Sequence, residues 1–512
     1  MKSILVFLLT ILLQLNVYAQ APIIQWEKSF GGSLEDTGLD IKLTTDGGYI
    51  MVGATMSSDA IPMGNHHGNY DIYVVKTSSS GIVEWQKTIG GTSNDFGISI
   101  SQTLDNGYII SGYTSSNDGD ITANYGLYDC LVIKLDNMGN IQWRSTYGGS
   151  KIDVVYDIIQ TNDGGYIFTA TSRSSDVQVS TNHGGDDVWI VKLDALGSIE
   201  WDKSIGGSDH DIFTTIFRTA DDGYILVGYS FSSDGDLVQN QGICDAWILK
   251  LNSVGIIEWQ KTYGGSDAEY LYDIQQTPDG GYITCGKTKS INGNLSNNYG
   301  NSDAWIIKLS SVGEIEWSKT YGGSSDEGFR KIIATQDGKF VLGGNTYSND
   351  FDVTANYGES DCWLLKITNN GDIVWNKSFG GSLFEGISGL IPTSDGGSIF
   401  VGSTFSSDFN VSENFGIYDM WMVKLSPEWL SNETFEHVSL DVFPNPTTNL
   451  LNLQTVDNFF IDTVKVTDIA GKTVMSQSEN TNQIKTQDLS QGIYFLQATS
   501  KNKTYQTKFI KQ

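Results

Sequence analysis

Acidic side chains recur along this chain at a fixed interval, and carboxylates in regular spacing can hold cations, move protons or accept backbone amide protons. One follows each Gly-Gly pair by four residues, at Asp36, Asp95, Asp153, Asp211, Glu269, Glu327 and Glu385. A second precedes a glycine turn at Asp46, Asp105, Asp163, Asp221, Asp279, Asp337 and Asp395, and a third opens an apolar run at Asp71, Asp129, Asp187, Asp245, Asp303, Asp361 and Asp419. Lysine closes each of those runs, at Lys76, Lys134, Lys192, Lys250, Lys308, Lys366 and Lys424. Repetition within one chain is a constraint of geometry. These sets are therefore expected to serve the scaffold, with Asp-Gly as turn chemistry and the other acids capping amides or pairing with a lysine on a neighbouring unit.

The longer connections offer less regular chemistry. Asp118, Asp120, Asp234 and Asp236, in SNDGD and SSDGD, are hard oxygen ligands of the type calcium takes, although the EF-hand glycine and closing glutamate are absent and a solvated Asx turn explains the same residues. Calcium is the one cofactor the sequence suggests. Tyr125, Tyr299, Tyr357 and Phe415, with His67 and His183 at the matching place, present rings that either stack on a sugar or staple the loop to its own unit. Arg218, Arg330 and Lys331 break the repeat by placing cations on what should be the innermost strand, where they either line the channel or pair with its acids. The histidines, His66, His67, His183, His210 and His437, show no metal-ligand spacing, and no nucleophile elbow, Walker loop or dinucleotide fingerprint occurs. Paired carboxylates for glycoside hydrolysis stay open among 60 acids.

What holds these residues is a repeat. Trp26, Trp85, Trp143, Trp201, Trp259, Trp317 and Trp375 stand 59 residues apart once and 58 thereafter. Each copy spells four β-rich segments, such as YDIIQTN, GYIFTATS, DVWIVKLD and SIEWDKSI in the third, separated by Gly, Asp, Asn and Ser clusters. In DVWIVKLD both faces are apolar, as in a sheet sandwiched between two others. The expected fold is all-β: a seven-bladed β-propeller of four-stranded blades, followed by a small C-terminal β-sandwich. The segment IIQWEKSF has no strands before it and DMWMVKL no tryptophan strand after it, so the N-terminal strand is expected to close the ring as the last blade's missing member. The long loops then share a face with the Gly-Gly connections, and the tight turns occupy the other.

The formal charge of −29 argues against nucleic acid or an anionic membrane as partner. Residues 1–19 carry Lys2, a short apolar run and Val17-Tyr18-Ala19, as a cleaved signal peptide does. That run is too short to span a bilayer, and no transmembrane segment is expected in the mature chain. Four scattered cysteines, Cys130, Cys244, Cys285 and Cys362, read as buried thiols rather than a disulfide framework.

The phrases GGS-x-x-D, T-x-D-G-G-Y-I and D-x-W-x-x-K-L resemble the secreted bacterial β-propeller repeat family, over residues 20–425. After a linker at 426–436, residues 437–512 change composition, with six acids and seven lysines. This tail resembles the type A C-terminal sorting domain of the type IX secretion system of Bacteroidetes: Pro444-Asn445-Pro446 matches its opening motif, Gly471 its central turn, Gly492 and Tyr494 its late strand, and Lys508 to Lys511 its ending. The resemblance implies the type IX machinery as a partner, with passage through the periplasm to the medium or the outer cell surface. The expected role is a non-enzymatic binding or adhesion module for an extracellular glycan or protein, with a secreted carbohydrate-active enzyme acting in the propeller mouth as the alternative.

Overall fold

The computed structural model describes residues 18–59, 66–237, 240–295, 297–431, 440–455, 461–468, 472–478, 481–500 and 503–512. Residues 1–17 of the expected signal peptide, residues 432–436 of the expected linker, His437 and Gly471 lie outside the described residues. Two compact units emerge, one formed by Ala19–Trp429 and one containing Leu430–Gln512. Among the described residues all regular structure is strand, and no helix is long and apolar enough to cross a membrane.

The larger unit is a seven-bladed propeller. Blade 1 comprises Asp36–Leu43, Tyr49–Thr55, Asp71–Thr77 and Val83–Ile89, paired antiparallel in sequence order. Blades 2 to 6 follow the same plan, opening with Asp95–Gln102, Asp153–Gln160, Asp211–Arg218, Glu269–Gln276 and Glu327–Ala334. Blade 7 takes Glu385–Pro392, Ser398–Thr404 and Asp419–Leu425, and its fourth strand is the N-terminal Ile24–Phe30, with Trp26 opposite Lys424 and Phe30 opposite Met420. The first strands of successive blades contact one another in an unbroken ring, 36–43 against 95–102 and onward until 385–392 meets 36–43. All seven third strands are buried along their whole length, which is why both of their faces are apolar in sequence.

The recurring tryptophan phrase is inter-blade packing written out. The turn joining the third and fourth strands of one blade carries a glycine with positive φ, 78° at Gly139, whose absent Cβ would lie 2.9 Å from the ring of Trp85 on the blade before. That ring also meets Tyr108, from the DNGY turn, edge-on with centroids 5.9 Å apart. In blades 2, 4 and 5 the fourth strand ends in a tyrosine whose hydroxyl donates to the same turn of the next blade, Tyr147 to the Gly197 carbonyl at 2.6 Å and Tyr263 to that of Gly313 at 2.6 Å. One strand therefore completes its own sheet and anchors the following one.

In the tail, a three-stranded sheet (Leu440–Phe443, Leu450–Thr455, Gln483–Lys485) and a four-stranded sheet (Thr463–Thr467, Thr473–Gln477, Gly492–Ser500, Lys503–Lys511) enclose Leu451, Val464, Val466, Ile484, Leu496 and Phe509. This is the small β-sandwich its alternating pattern suggested.

Candidate functional site

The repeated acids hold the ring together. Each acid after a Gly-Gly pair accepts the second glycine's amide, at 2.8 Å for Asp95 from Gly91 and 2.7 Å for Glu269 from Gly265, and takes hydroxyl protons from the end of its own blade's second strand and the residues just after it, as Asp95 does from Thr114 and Ser116. The turn acids and the lysines pair, but on the same blade rather than across to a neighbour. Lys76 lies 2.9 Å from both Asp46 and Glu84 of blade 1, because the two hairpins of a blade end side by side. Partial burial works against its charge, yet the Thr44 hydroxyl, the Gly48 amide and Lys76 hold Asp46 down at about 2.

The loop acids Asp118 and Asp234 accept the backbone N–H of Thr92 (2.8 Å) and Ser208 (2.7 Å), while Asp120 and Asp236 accept those of Gly90 (3.4 Å) and Gly206 (3.2 Å). Asn292 and Asn294 occupy the equivalent places in blade 5 and make the same bonds to Ser266 and Gly264, at 2.8 and 3.0 Å. Where a neutral amide performs the task equally well, the task is accepting an N–H and not holding a charge. Among the described residues no group of three or more His, Cys, Asp or Glu side chains is arranged around a metal position. These bonds also place the long loops on the same face as the Gly-Gly connections. Tyr299 and Tyr357 remain 43% and 40% exposed, and it is their backbone amides that Asp303 and Asp361 hold, at 2.8 Å, whereas the His183 ring itself meets Asp187 of its own blade, Nδ1 lying 2.7 Å from the carboxylate. The four cysteines are buried and unpaired.

The repeat breaks down at the axis. A bulge in each first strand sets Asp40, Ser99, Asp157, Thr215, Asp273, Lys331 and Gly389 at equivalent positions round the channel. The aspartates alternate with other residues, and each reaches the next blade's amide: Asp40 to Ile100 at 3.0 Å, Asp157 to Ile216 at 3.1 Å and Asp273 to Ile332 at 2.9 Å. Burial opposes the Lys331 charge, but Asp273, Asp40 and Asp157 together hold its ammonium above the usual lysine range. Sequence reading picked out Lys331 and missed the aspartates; the signal was a position that varies while its neighbours in the repeat do not.

Above this ring, toward the loop-rich face, side chains vary from blade to blade. Tyr70 and Tyr418 both donate to Glu35, the latter at 3.0 Å. Arg173 and His210 grip Asp186 at 2.5 and 2.6 Å. Phe96 stacks on Tyr113 with centroids 5.0 Å apart, and Tyr229 meets Tyr270 at 4.8 Å. Between blades 5 and 6 a cavity of 290 Å³ opens, lined among others by Tyr272, Lys287, Asp326, Arg330, Asn345 and Tyr347. Arg218, by contrast, sits at the tight-turn end of its strand and bonds Asn162 of the preceding blade.

In the tail the opening and closing motifs come together. Asn445, between Pro444 and Pro446, donates to the Lys508 carbonyl at 3.2 Å and accepts the Ile510 amide at 2.9 Å. Gly492 pairs with Lys511, and Tyr494, opposite Phe509, stacks on it with centroids 5.6 Å apart. The opening and late-strand motifs thus both meet the edge strand Lys503–Lys511, which carries the closing motif.

No curated protein matches the chain. Among solved structures, PorZ, an essential bacterial surface component of the type IX secretion system of Porphyromonas gingivalis, aligns with 95% of this chain and 60% of its own, at 12% identity and TM-score 0.41. An ancestral GH74 enzyme aligns with 95% of this chain and 64% of its own at 12% identity and TM-score 0.41, and a puromycin hydrolase with 85% and 61% at 9% identity and TM-score 0.45. This chain thus spans less than two thirds of the length of each of the three. Residues 441–512 match the family model of the secretion system C-terminal sorting domain, so this is a β-propeller carrying a sorting tail for secretion or the outer cell surface.

Proposed function

We propose that the propeller is a non-enzymatic binding or adhesion module, displayed outside the cell after residues 1–19 are removed and the type IX machinery has read the tail from 437 onward. In this layout residues 20–425 are the working part and 426–436 the linker. The reading is carried by one observation. The acids that recur in every blade hold amides and lysines, whereas the loop-face mouth bears rings and cations that vary from blade to blade, among them those of the 290 Å³ cavity. The alternative, a secreted carbohydrate-active enzyme, would draw on the acids of that mouth. Burial works against the charge of Asp186, yet Arg173 and then His210 hold it below the usual carboxylate range, the wrong direction for a general acid.

The test is a glycan array probed with the purified chain, with and without calcium, followed by product analysis of every glycan retained. Retention of a glycan class without cleavage is expected. Cleavage would replace this reading with the enzyme, and no retention in either condition would remove glycans as the ligand.

A further inference from the structure

The cavity between blades 5 and 6 carries two cations that form no ion pair among the described residues. The Arg330 guanidinium lies 5.4 Å from the centroid of the Tyr272 ring and the Lys287 ammonium 5.2 Å from that of Tyr270. Among the described residues neither has a carboxylate within ion-pairing distance, although the chain holds 60 acids and only 31 lysines and arginines. Burial, then Arg330, then Lys289 pull Lys287 below the usual lysine range, and Asp326 only partly offsets them. Facing the two cations, Asp326 takes the Ser302 hydroxyl at 2.8 Å, and Asn345 and Tyr347 complete the wall.

We infer that this cavity binds a carboxylate-bearing sugar, a hexuronate unit of an acidic polysaccharide. The inference rests on the reading of the propeller as a binding module and names its ligand class. A single negative charge suits the cation pair, whereas a phosphate dianion would also face Asp326 and Glu327. Hydroxyl groups suit Asp326, Asn345 and Ser302, which offer acceptors and donors beside the charge. At 290 Å³ the space is at the small end of ligand pockets, about the size of a sugar unit rather than a folded epitope. The same face continues the match. On the neighbouring loops Phe351 and Phe409 are 68% and 69% exposed, and they pair with Tyr299 and Tyr357 at centroid distances of 5.3 and 5.6 Å. Exposed ring pairs on consecutive blades are stacking platforms for the further sugars of a chain.

The experiment is calorimetric titration of the full chain with trigalacturonate, its methyl ester, neutral galactotriose and poly-glutamate, at low and high salt. Trigalacturonate is expected to bind at least tenfold more tightly than the ester or the neutral sugar, and to weaken as salt rises. The Lys287→Gln, Arg330→Gln double variant is expected to lower trigalacturonate affinity to that of the ester. If the double variant fails to fold by circular dichroism, Arg330→Gln alone, at an exposed side chain, carries the same test. Phe351→Gly with Phe409→Gly is expected to weaken longer oligogalacturonates several-fold and leave the monosaccharide unaffected. Equal affinity for acid and ester, an acid preference that survives loss of both cations, or equally tight poly-glutamate binding each overturns the inference. Neutral glycans binding where acidic ones do not would leave the binding module standing without this site, while cleavage of trigalacturonate would remove the module reading and leave the acidic specificity.

Discussion

Asp129 accepts the Tyr125 amide with one carboxylate oxygen, while the other is buried with no hydrogen-bond donor. The equivalent oxygen is orphaned in all seven blades, at Asp71, Asp187, Asp245, Asp303, Asp361 and Asp419 as well. It faces the acid that opens the next blade. The site of the missing Cβ of Gly90 is flanked by Asp71 at 2.3 Å and Asp95 at 2.9 Å. Burial, which outweighs the Tyr125 amide, and then Asp153 raise Asp129 to about 7; burial and the neighbouring acid likewise bring Asp303 and Asp361 to about 6. A carboxyl raised on folding contributes stability that is complete below its unfolded value near 4 and is lost as pH rises through its folded value. The turn acids have the opposite sign: Asp46, Asp105 and Asp163, held at about 2, contribute above pH ~4 and lose that contribution as pH falls toward 2. Thermal melts across pH 2 to 9 are therefore expected to show a maximum at about pH 4–5, with a decline toward pH 7. Asp129→Asn is expected to shallow that decline and to stabilise the protein by about 1 kcal/mol at pH 8. A flat profile from 4 to 8 would mean that these carboxyls do not change protonation on folding.

The elements that carry function are the loops, and their backbone shows a cost. At one position of the long loop Gly119, Gly235 and Gly293 adopt φ of 62°, 67° and 72°, while Val177, Phe351 and Phe409 hold φ of 59°, 52° and 51° at the same place. A side chain there is strained, most of all a β-branched one. Val177, 64% exposed, is expected to gain about 1 kcal/mol on replacement by glycine. Phe351→Gly relieves the same strain but forfeits the Tyr299 contact, worth about 0.5–1.5 kcal/mol, so its melting temperature is expected to rise less than that of Val177→Gly, or not at all. Equal gains from the two substitutions would show that the ring pair adds no stability. The blades themselves were legible from sequence, since the Trp, Gly-Gly and Asp-Gly spacing encodes contacts local to one repeat or its neighbour. The same-blade lysine pairs were not, because Lys76 meets Asp46 only when two hairpins fold side by side. Nor was the mouth: Tyr272, Lys287 and Arg330 meet through the closure of separate blades, which no local period records.

At the scale of the whole molecule everything depends on the ring being shut by its ends. The N-terminal strand is held by more than its ladder: the Trp421 indole donates to Glu27 at 2.7 Å and the Ile23 amide to the Ser426 hydroxyl at 3.1 Å, while the Asp36 amide of blade 1 separately meets the Tyr418 carbonyl of blade 7 at 2.9 Å. It also helps cover Trp375, which packs with Ala21 and Ile24 and is only 7% exposed. A ring of this kind has no free inner edge, and the strand it protects, Asp419–Leu425, is buried throughout. Without residues 20–31 that strand becomes an exposed, apolar edge, and blades 7 and 1 are left joined by the contacts of 36–43 with blade 7 alone. The truncated chain is therefore expected to associate or precipitate at concentrations where the full chain runs as a monomer, as read by light scattering on a sizing column. Its melt should broaden as the blades cease to unfold together, because cooperativity round a ring requires every interface to be present. Adding the peptide 20–31 in trans is expected to restore part of the monomeric peak, since the missing piece is one strand of a preformed sheet edge. A truncated chain that stays monomeric and melts as sharply as the full one would mean that closure rests on the first-strand contacts at the axis instead.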